Sequence, residues 1–129
     1  MLEKFNFILI ILIGVTLAGC STHASNWKEW DTEKRTVFAA SNIALVADWS
    51  TTINITKRYD ENYYETNPIL GKHPSEAHVV AYFIARGIAH YHLTNIVPAK
   101  YRNFFHGYNI IYNYNTVKDN HELGIRIGF

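Results

Sequence analysis

The sequence predicts an all-α protein: a small bundle of three main helices followed by a short extended C-terminal segment. Apolar residues recur at helical spacing through three long stretches. All three prolines, Pro68, Pro74 and Pro98, fall between those stretches. Strand-like alternation is confined to residues 122–129.

At the start of the chain, Lys4 precedes an apolar run from Phe5 to Ala18, interrupted only by Asn6, Gly14 and Thr16. That is the layout of a secretory signal peptide. The run falls short of the ~20 residues that comfortably span a bilayer. It ends in Leu17-Ala18-Gly19-Cys20, which resembles the lipobox of bacterial lipoproteins. The resemblance implies that the Cys20 thiol is diacylated and the chain cut just before it. Cys20 is the one cysteine of the chain, so no intrachain disulfide can form. Each buried acyl CH₂ contributes about 0.8 kcal/mol and stable anchoring takes two such signals, which diacylation supplies. Ser21, where an Asp would by the same resemblance favour the inner membrane, implies outer-membrane sorting with the domain facing the periplasm. The expected organisation is a signal peptide over 1–19, a lipidated tether over 20–36 and a helical domain over 37–129.

The tether reads STHASNWKEWDTEKRT from Ser21 to Thr36, polar and without a sustained apolar period. Trp27 and Trp30, three apart, either begin a helix or sit among lipid headgroups, where Trp is favoured. From Val37 to Ile53, Val37, Ala40, Ala44, Ala47 and Thr51 form a small-residue face, and Phe38, Leu45, Trp49 and Thr52 a bulkier one. A helix apolar over most of its circumference belongs at the centre of the bundle. Asn42, Asp48 and Asn54 argue against its crossing a membrane, since a carboxylate mid-span costs ~2.5–3.5 kcal/mol on insertion scales.

The stretch YYETNPILGKHPS, Tyr63 to Ser75, reads as a connector. Pro68 pushes Asn67 into extended backbone, and Gly71 takes positive φ cheaply. Ser75 is a good N-cap for a helix opening at Glu76, whose charge suits a helix N-terminus. That helix runs to Ile96 with an expected apolar face of Val79, Val80, Phe83, Ile84, Gly87, Ile88 and Tyr91, beside a row of His78, Tyr82, Arg86 and His90. The third begins at Pro98. Its aromatic stripe of Tyr101, Phe104, Phe105, Tyr108, Ile111 and Tyr112 is expected to face the core, with Arg102, His106, Asn109 and Asn113 on the other side and fraying near Asn115. In ELGIRIGF, Leu123, Ile125, Ile127 and Phe129 alternate as in a strand. The terminal Phe resembles the C-terminal signal of outer-membrane barrels, but a barrel needs at least eight strands. A strand or extended segment docked on the helices is the expectation.

A formal charge of +1, without a basic run or a clustered Arg face, excludes nucleic acid as a partner. No Gly-rich phosphate loop, Gly-x-Ser-x-Gly elbow or His-Glu-x-x-His helix is present, so no cofactor is expected. Among seven histidines none lies three or four residues from another, the spacing that holds a metal on one helix face. A metal site would have to combine one His with Asp48 and Glu65 across segments.

Asp48 is the most unusual residue, a carboxylate inside an apolar helix. Burial obliges it to find partners, shift its pKa or bind a cation. It is either a catalytic group or a structural carboxylate bonded to a Tyr, an Arg or connector amides. Glu65 either converges on Asp48, giving two carboxylates of the kind general acid–base chemistry uses, or pairs with Arg86 or caps a helix. Tyr64, Asn67, Arg86 and His90 are the accompanying binding candidates. The run Asp48-Trp49-Ser50-Thr51-Thr52, then Tyr64-Glu65-Thr66-Asn67-Pro68-Ile69-Leu70-Gly71, then Tyr101-Arg102, is similar to small uncharacterised bacterial and phage proteins. In those an Asp/Thr helix precedes a Glu-x-Asn-Pro turn, and the resemblance implies no particular activity. The leading expectation is a lipid-anchored envelope lipoprotein that binds a membrane or envelope partner. The alternatives are a small hydrolase or lyase using Asp48 and Glu65, with or without a metal, and a purely structural membrane-surface protein. Nine Tyr, seven Phe and three Trp suit a core, an interface or a membrane-surface belt.

Overall fold

The computed structural model describes residues 27–58 and 63–128. The signal peptide, the Leu17–Cys20 lipobox and Phe129 lie outside the described residues. A single 3-10 turn, Trp27–Glu29, leads into α1 (Thr32–Thr56), followed by α2 (Glu76–Ile96) and α3 (Ala99–Glu122). The protein is a three-helix bundle with no strand among the described residues. α1 is its central helix, packing against both α2 and α3. α1 and α3 run parallel: their N-terminal ends meet where Asn103 Nδ2 donates to Glu33 Oε1 at 3.0 Å, and their C-terminal ends where Asn120 Nδ2 donates to Thr51 Oγ1 at 2.9 Å. α2 runs the other way, its C-terminal end meeting the start of α1.

α1 begins at Thr32, ahead of the Val37 start read from the apolar period. Asp31 explains the difference: its Oδ1 accepts the Lys34 amide at 2.6 Å, satisfying one of the donors a helix start leaves open. Tertiary contacts hold this polar first turn. Trp30 is buried, donates Nε1 to Asn95 Oδ1 at 2.8 Å and stacks on Tyr91 at 5.4 Å. The Lys34 ammonium lies 4.4 Å over the Trp30 ring. Residues from Trp30 onward, counted above with the tether, thus form one end of the bundle.

The connector follows its expected grammar. Gly71 has φ of 76°, its amide donating to Asn67 O at 3.0 Å, and Ser75 Oγ accepts the His78 amide at 3.2 Å to cap α2. A compact apolar cluster of Leu45, Ile53, Leu70, Val79 and Phe83 sits beneath it, with Trp49 stacked on Phe83 at 6.1 Å. Each such side chain contributes roughly 1.5–3 kcal/mol when fully buried.

Four expectations are corrected, that for α2 in part. α3 does not fray near Asn115 but continues to Glu122. Its asparagines, poor helix formers in isolation, are satisfied: Asn109 and Asn113 donate to the carbonyls of Phe105 and Asn109, and Asn120 bonds across to α1. The aromatic stripe of α3 does not face the core: Tyr101, Phe104, Tyr108, Ile111 and Tyr112 are exposed, while His106, Asn113 and Asn120 are buried. α2 keeps Val79 and Phe83 of its expected apolar face buried but exposes Ile84 and Ile88 and buries His90 and Thr94 instead. The C-terminal alternation forms no strand. After Gly124, with φ of 84°, Ile125 is buried and the tail lies against α1, where Ser50 Oγ accepts the Gly128 amide at 2.7 Å and Asn54 Nδ2 donates to the Arg126 and Gly128 carbonyls. With no neighbouring strand to pair with, the tail meets its backbone needs through these two side chains.

Candidate functional site

One residue from each helix meets at mid-bundle. Asp48 on α1, 3% exposed, accepts from Arg86 Nη1 of α2 at 3.1 Å through Oδ2, and from Thr52 Oγ1 at 3.4 Å through Oδ1. Arg86 Nη2 donates to Asn113 Oδ1 of α3 at 2.8 Å. A planar guanidinium is well shaped for joining three helices, because its fork reaches two acceptors while its face lies 5.3 Å from the Tyr112 ring centre. Asn113 Nδ2 donates in turn to Asn109 O at 2.8 Å, so its amide is used at both ends. The charges of Asp48 and Arg86 cancel where neither could be buried alone.

The polar seam extends both ways from this triad. Toward the C-terminal ends of α1 and α3, Thr51 Oγ1 donates to the Asp48 carbonyl at 3.0 Å and accepts from Asn120. Toward their N-terminal ends, buried His90 and His106 stand edge to face at 5.0 Å, flanked by Phe38 and Phe105. His90 Nε2 and both ring nitrogens of His106 have no hydrogen-bond partner among the described residues. Imidazolium ions so placed would lack an acceptor, so both rings are neutral.

Glu65 serves the connector. Its Oε1 accepts the Asn67 amide at 2.7 Å and its own amide donates to Lys72 O at 3.0 Å, closing the loop on itself. Asn67 Oδ1 accepts the Ile69 amide at 2.9 Å, an Asx turn, while Nδ2 donates to Tyr82 OH at 2.9 Å and ties the loop to α2. Glu65 is buried, and its charge is felt at Asp48.

Of the residues singled out in the sequence, then, Asp48 and Arg86 bond directly. Glu65 and Asn67 share the connector above them, His90 belongs to the seam, and Tyr64 points into solvent. Glu65 caps a turn, while the Arg86 bonds go to Asp48 and Asn113. Asn113, Asn120 and His106 were not foreseen. Their signal was a spacing of seven residues, from 106 to 113 to 120, which puts three polar groups on one line of the helix, away from its aromatic stripe.

Within the triad the Asp48 side chain is 5% exposed and that of Arg86 20%. Two shallow depressions of about 240 and 260 Å³ mark the surface, lined by Asn54, Arg58 and the 124–128 tail and by residues of the 64–72 loop. Asp48 lines neither of them. A general base must reach its proton at hydrogen-bond distance, and both oxygens of Asp48 already serve other helical residues. Among the described residues no three His, Cys, Asp or Glu gather as metal ligands. No helix among them is long and apolar enough to cross a membrane. The chain matches no protein-family model, no curated protein and no solved structure.

Proposed function

We propose that this chain is a lipid-anchored envelope lipoprotein whose helical bundle is a binding module for a membrane or envelope partner. The observation that carries this is the outward aromatic face of α3, where Phe104 is 79% exposed and Tyr101, Tyr108, Ile111 and Tyr112 are exposed beside it. A contiguous apolar surface held at such a cost in water is the mark of an interaction site, and Tyr and Phe are enriched in interface cores. The lipobox at Leu17–Cys20 supports the anchor. The polar seam supports a structural role for Asp48, because its oxygens are engaged within the bundle, and the enzymatic alternative draws no comparable support.

Two measurements test the proposal. Metabolic labelling with a fatty acid should mark the parent chain and not Cys20→Ala; equal labelling of both removes the anchor. A photo-crosslinking side chain at Phe104, in intact cells, should give adducts that the same group at exposed Lys57 does not. Absent or identical adducts at the two positions remove the binding surface.

A further inference from the structure

The charges of this bundle are distributed in a way that names what covers its apolar surface. Between Thr36 and Thr56 of α1 the only charged residue is Asp48; between Ala77 and Ile96 of α2 it is Arg86; between Asn103 and Val117 of α3 there is none. Those two charges face inward and pair at 3.1 Å. All other charged residues of the helices lie at the two ends of the bundle: Glu33, Lys34, Arg35, Lys100 and Arg102 at one, Glu76, Lys118, Asp119 and Glu122 at the other. Helices surrounded by water carry charged and polar residues on their outward face. Here the outward positions hold Ile43 and Val46 on α1, Ile84 and Ile88 on α2, and Phe104 and Ile111 on α3, every one exposed. Inside are groups that bond between the helices, Arg86 joining Asp48 to Asn113 and Asn120 donating to Thr51, while Asn103 and Asn115, outward on α3, are polar but uncharged.

Building on the binding-module reading, we infer that the hydrocarbon of a lipid bilayer covers this belt, and that the assembled bundle lies in the membrane its lipid anchors it to. At ~1.5 Å per residue, the charge-free stretch of α3 is about 22 Å long, and the stretches of α1 and α2 whose only charge faces inward are about 30 Å. The hydrocarbon layer of a bilayer is about 30 Å thick, and Lys100 and Lys118 can reach outward from the ends of the α3 stretch. Tyr101 and Trp27 at one end and Tyr64 at the other, all exposed, stand where aromatic side chains settle at headgroups. Within a membrane, ionisable residues face the bundle interior and pair, as Asp48 and Arg86 do. A second copy of the chain or one protein partner covers a single face. The belt belongs to all three helices, which point outward in different directions, and a continuous apolar medium covers them together. No helix among the described residues is long and apolar enough to cross a membrane by itself, because its inward residues count against it in any stretch of that length; the bundle hides those residues from the lipid.

The test keeps the full chain, with a protease site inserted between residues 21 and 26. The acylated protein is reconstituted into vesicles of phosphatidylethanolamine and phosphatidylglycerol, the tether is cut, and the vesicles are floated at pH 11. Most of the cut domain should float with the lipid. In the variant Ile43→Lys, Ile88→Lys, Phe104→Lys, shown to be folded by circular dichroism, it should stay at the bottom. Release of the parent domain on cutting overturns the inference; if Phe104 still crosslinks to an envelope protein in cells, the binding-module proposal survives that loss. Retention of parent and triple variant alike also overturns it, since the belt would then not be the surface that holds.

Discussion

At the scale of single residues, Asp48 and Arg86 are, among the described residues, the opposite charges that the bundle interior brings together at mid-height. Their value lies in mutual satisfaction, so removing one leaves the other stranded. Arg86→Ala is expected to destabilise the fold by ~3–5 kcal/mol, read by chemical unfolding, and Asp48→Ala by a similar amount. The double variant should cost less than the sum of the two, because both charges then leave together. Asp31 makes the opposite case, an exposed carboxylate that caps α1 and reaches Arg102 of α3 at 3.4 Å. Its hydrogen bond from the Lys34 amide, helped by Arg102, holds its pKa below the ordinary 3.8. A folded-state pKa below the unfolded one means that the cap's contribution is fully present above pH ~4 and is lost as pH falls through the folded value. Amide exchange in the first turn of α1 should therefore quicken over that acid range in the parent. In Asp31→Asn the same exchange should lose this pH step.

At the scale of elements, α3 shows why helical existence and helical orientation are separate problems. Its apolar period was legible, and so was the helix. Which side faces inward was not, because a stripe of aromatic residues and a line of His106, Asn113 and Asn120 are equally periodic. The partners decide: Arg86 and Thr51 supply hydrogen bonds to Asn113 and Asn120 that no aromatic could use. Asn113→Ala is accordingly expected to cost about 1.5–3 kcal/mol, since it takes away a bond to a charged group. Phe104→Ala, on the outward side, should change stability by no more than ~0.5 kcal/mol. Comparing the two unfolding midpoints checks the orientation directly, and a large loss at Phe104 with none at Asn113 would reverse it. The connector was more transparent. Pro68 and Gly71 act through their own backbone geometry and Ser75 through a cap three residues away, so each role is local and legible in the sequence. Of the two forms expected for the C-terminal tail, a docked strand or a docked extended segment, the strand does not form, because alternation implies one only where another strand is available to pair. Ile125→Ala, which empties a fully buried site, should cost ~2–5 kcal/mol. A near-neutral result in the same unfolding measurement would mean that the tail is not docked.

At the scale of the whole molecule, the bundle is polar along its axis and apolar around its circumference. Its apolar core is compact and sits under the connector, while the middle is held by hydrogen bonds and one ion pair. Such an arrangement specifies the register of three helices well, because each buried polar group accepts only particular partners. It also leaves a surface with little reason to stay in water, on which both the proposed binding role and the bilayer contact rest. The sequence by itself determined the three helices, the connector and the identity of Asp48 as the residue that demanded an explanation. These follow from caps, prolines and apolar periods that act over a few neighbouring residues. Only the tertiary structure decided which faces of α2 and α3 turn inward, because that depends on Asp48, Arg86 and Asn113 finding one another across gaps of 38 and 27 residues. Burying an unpaired charge costs more than exposing an aromatic stripe, and that inequality turns the helices as they are.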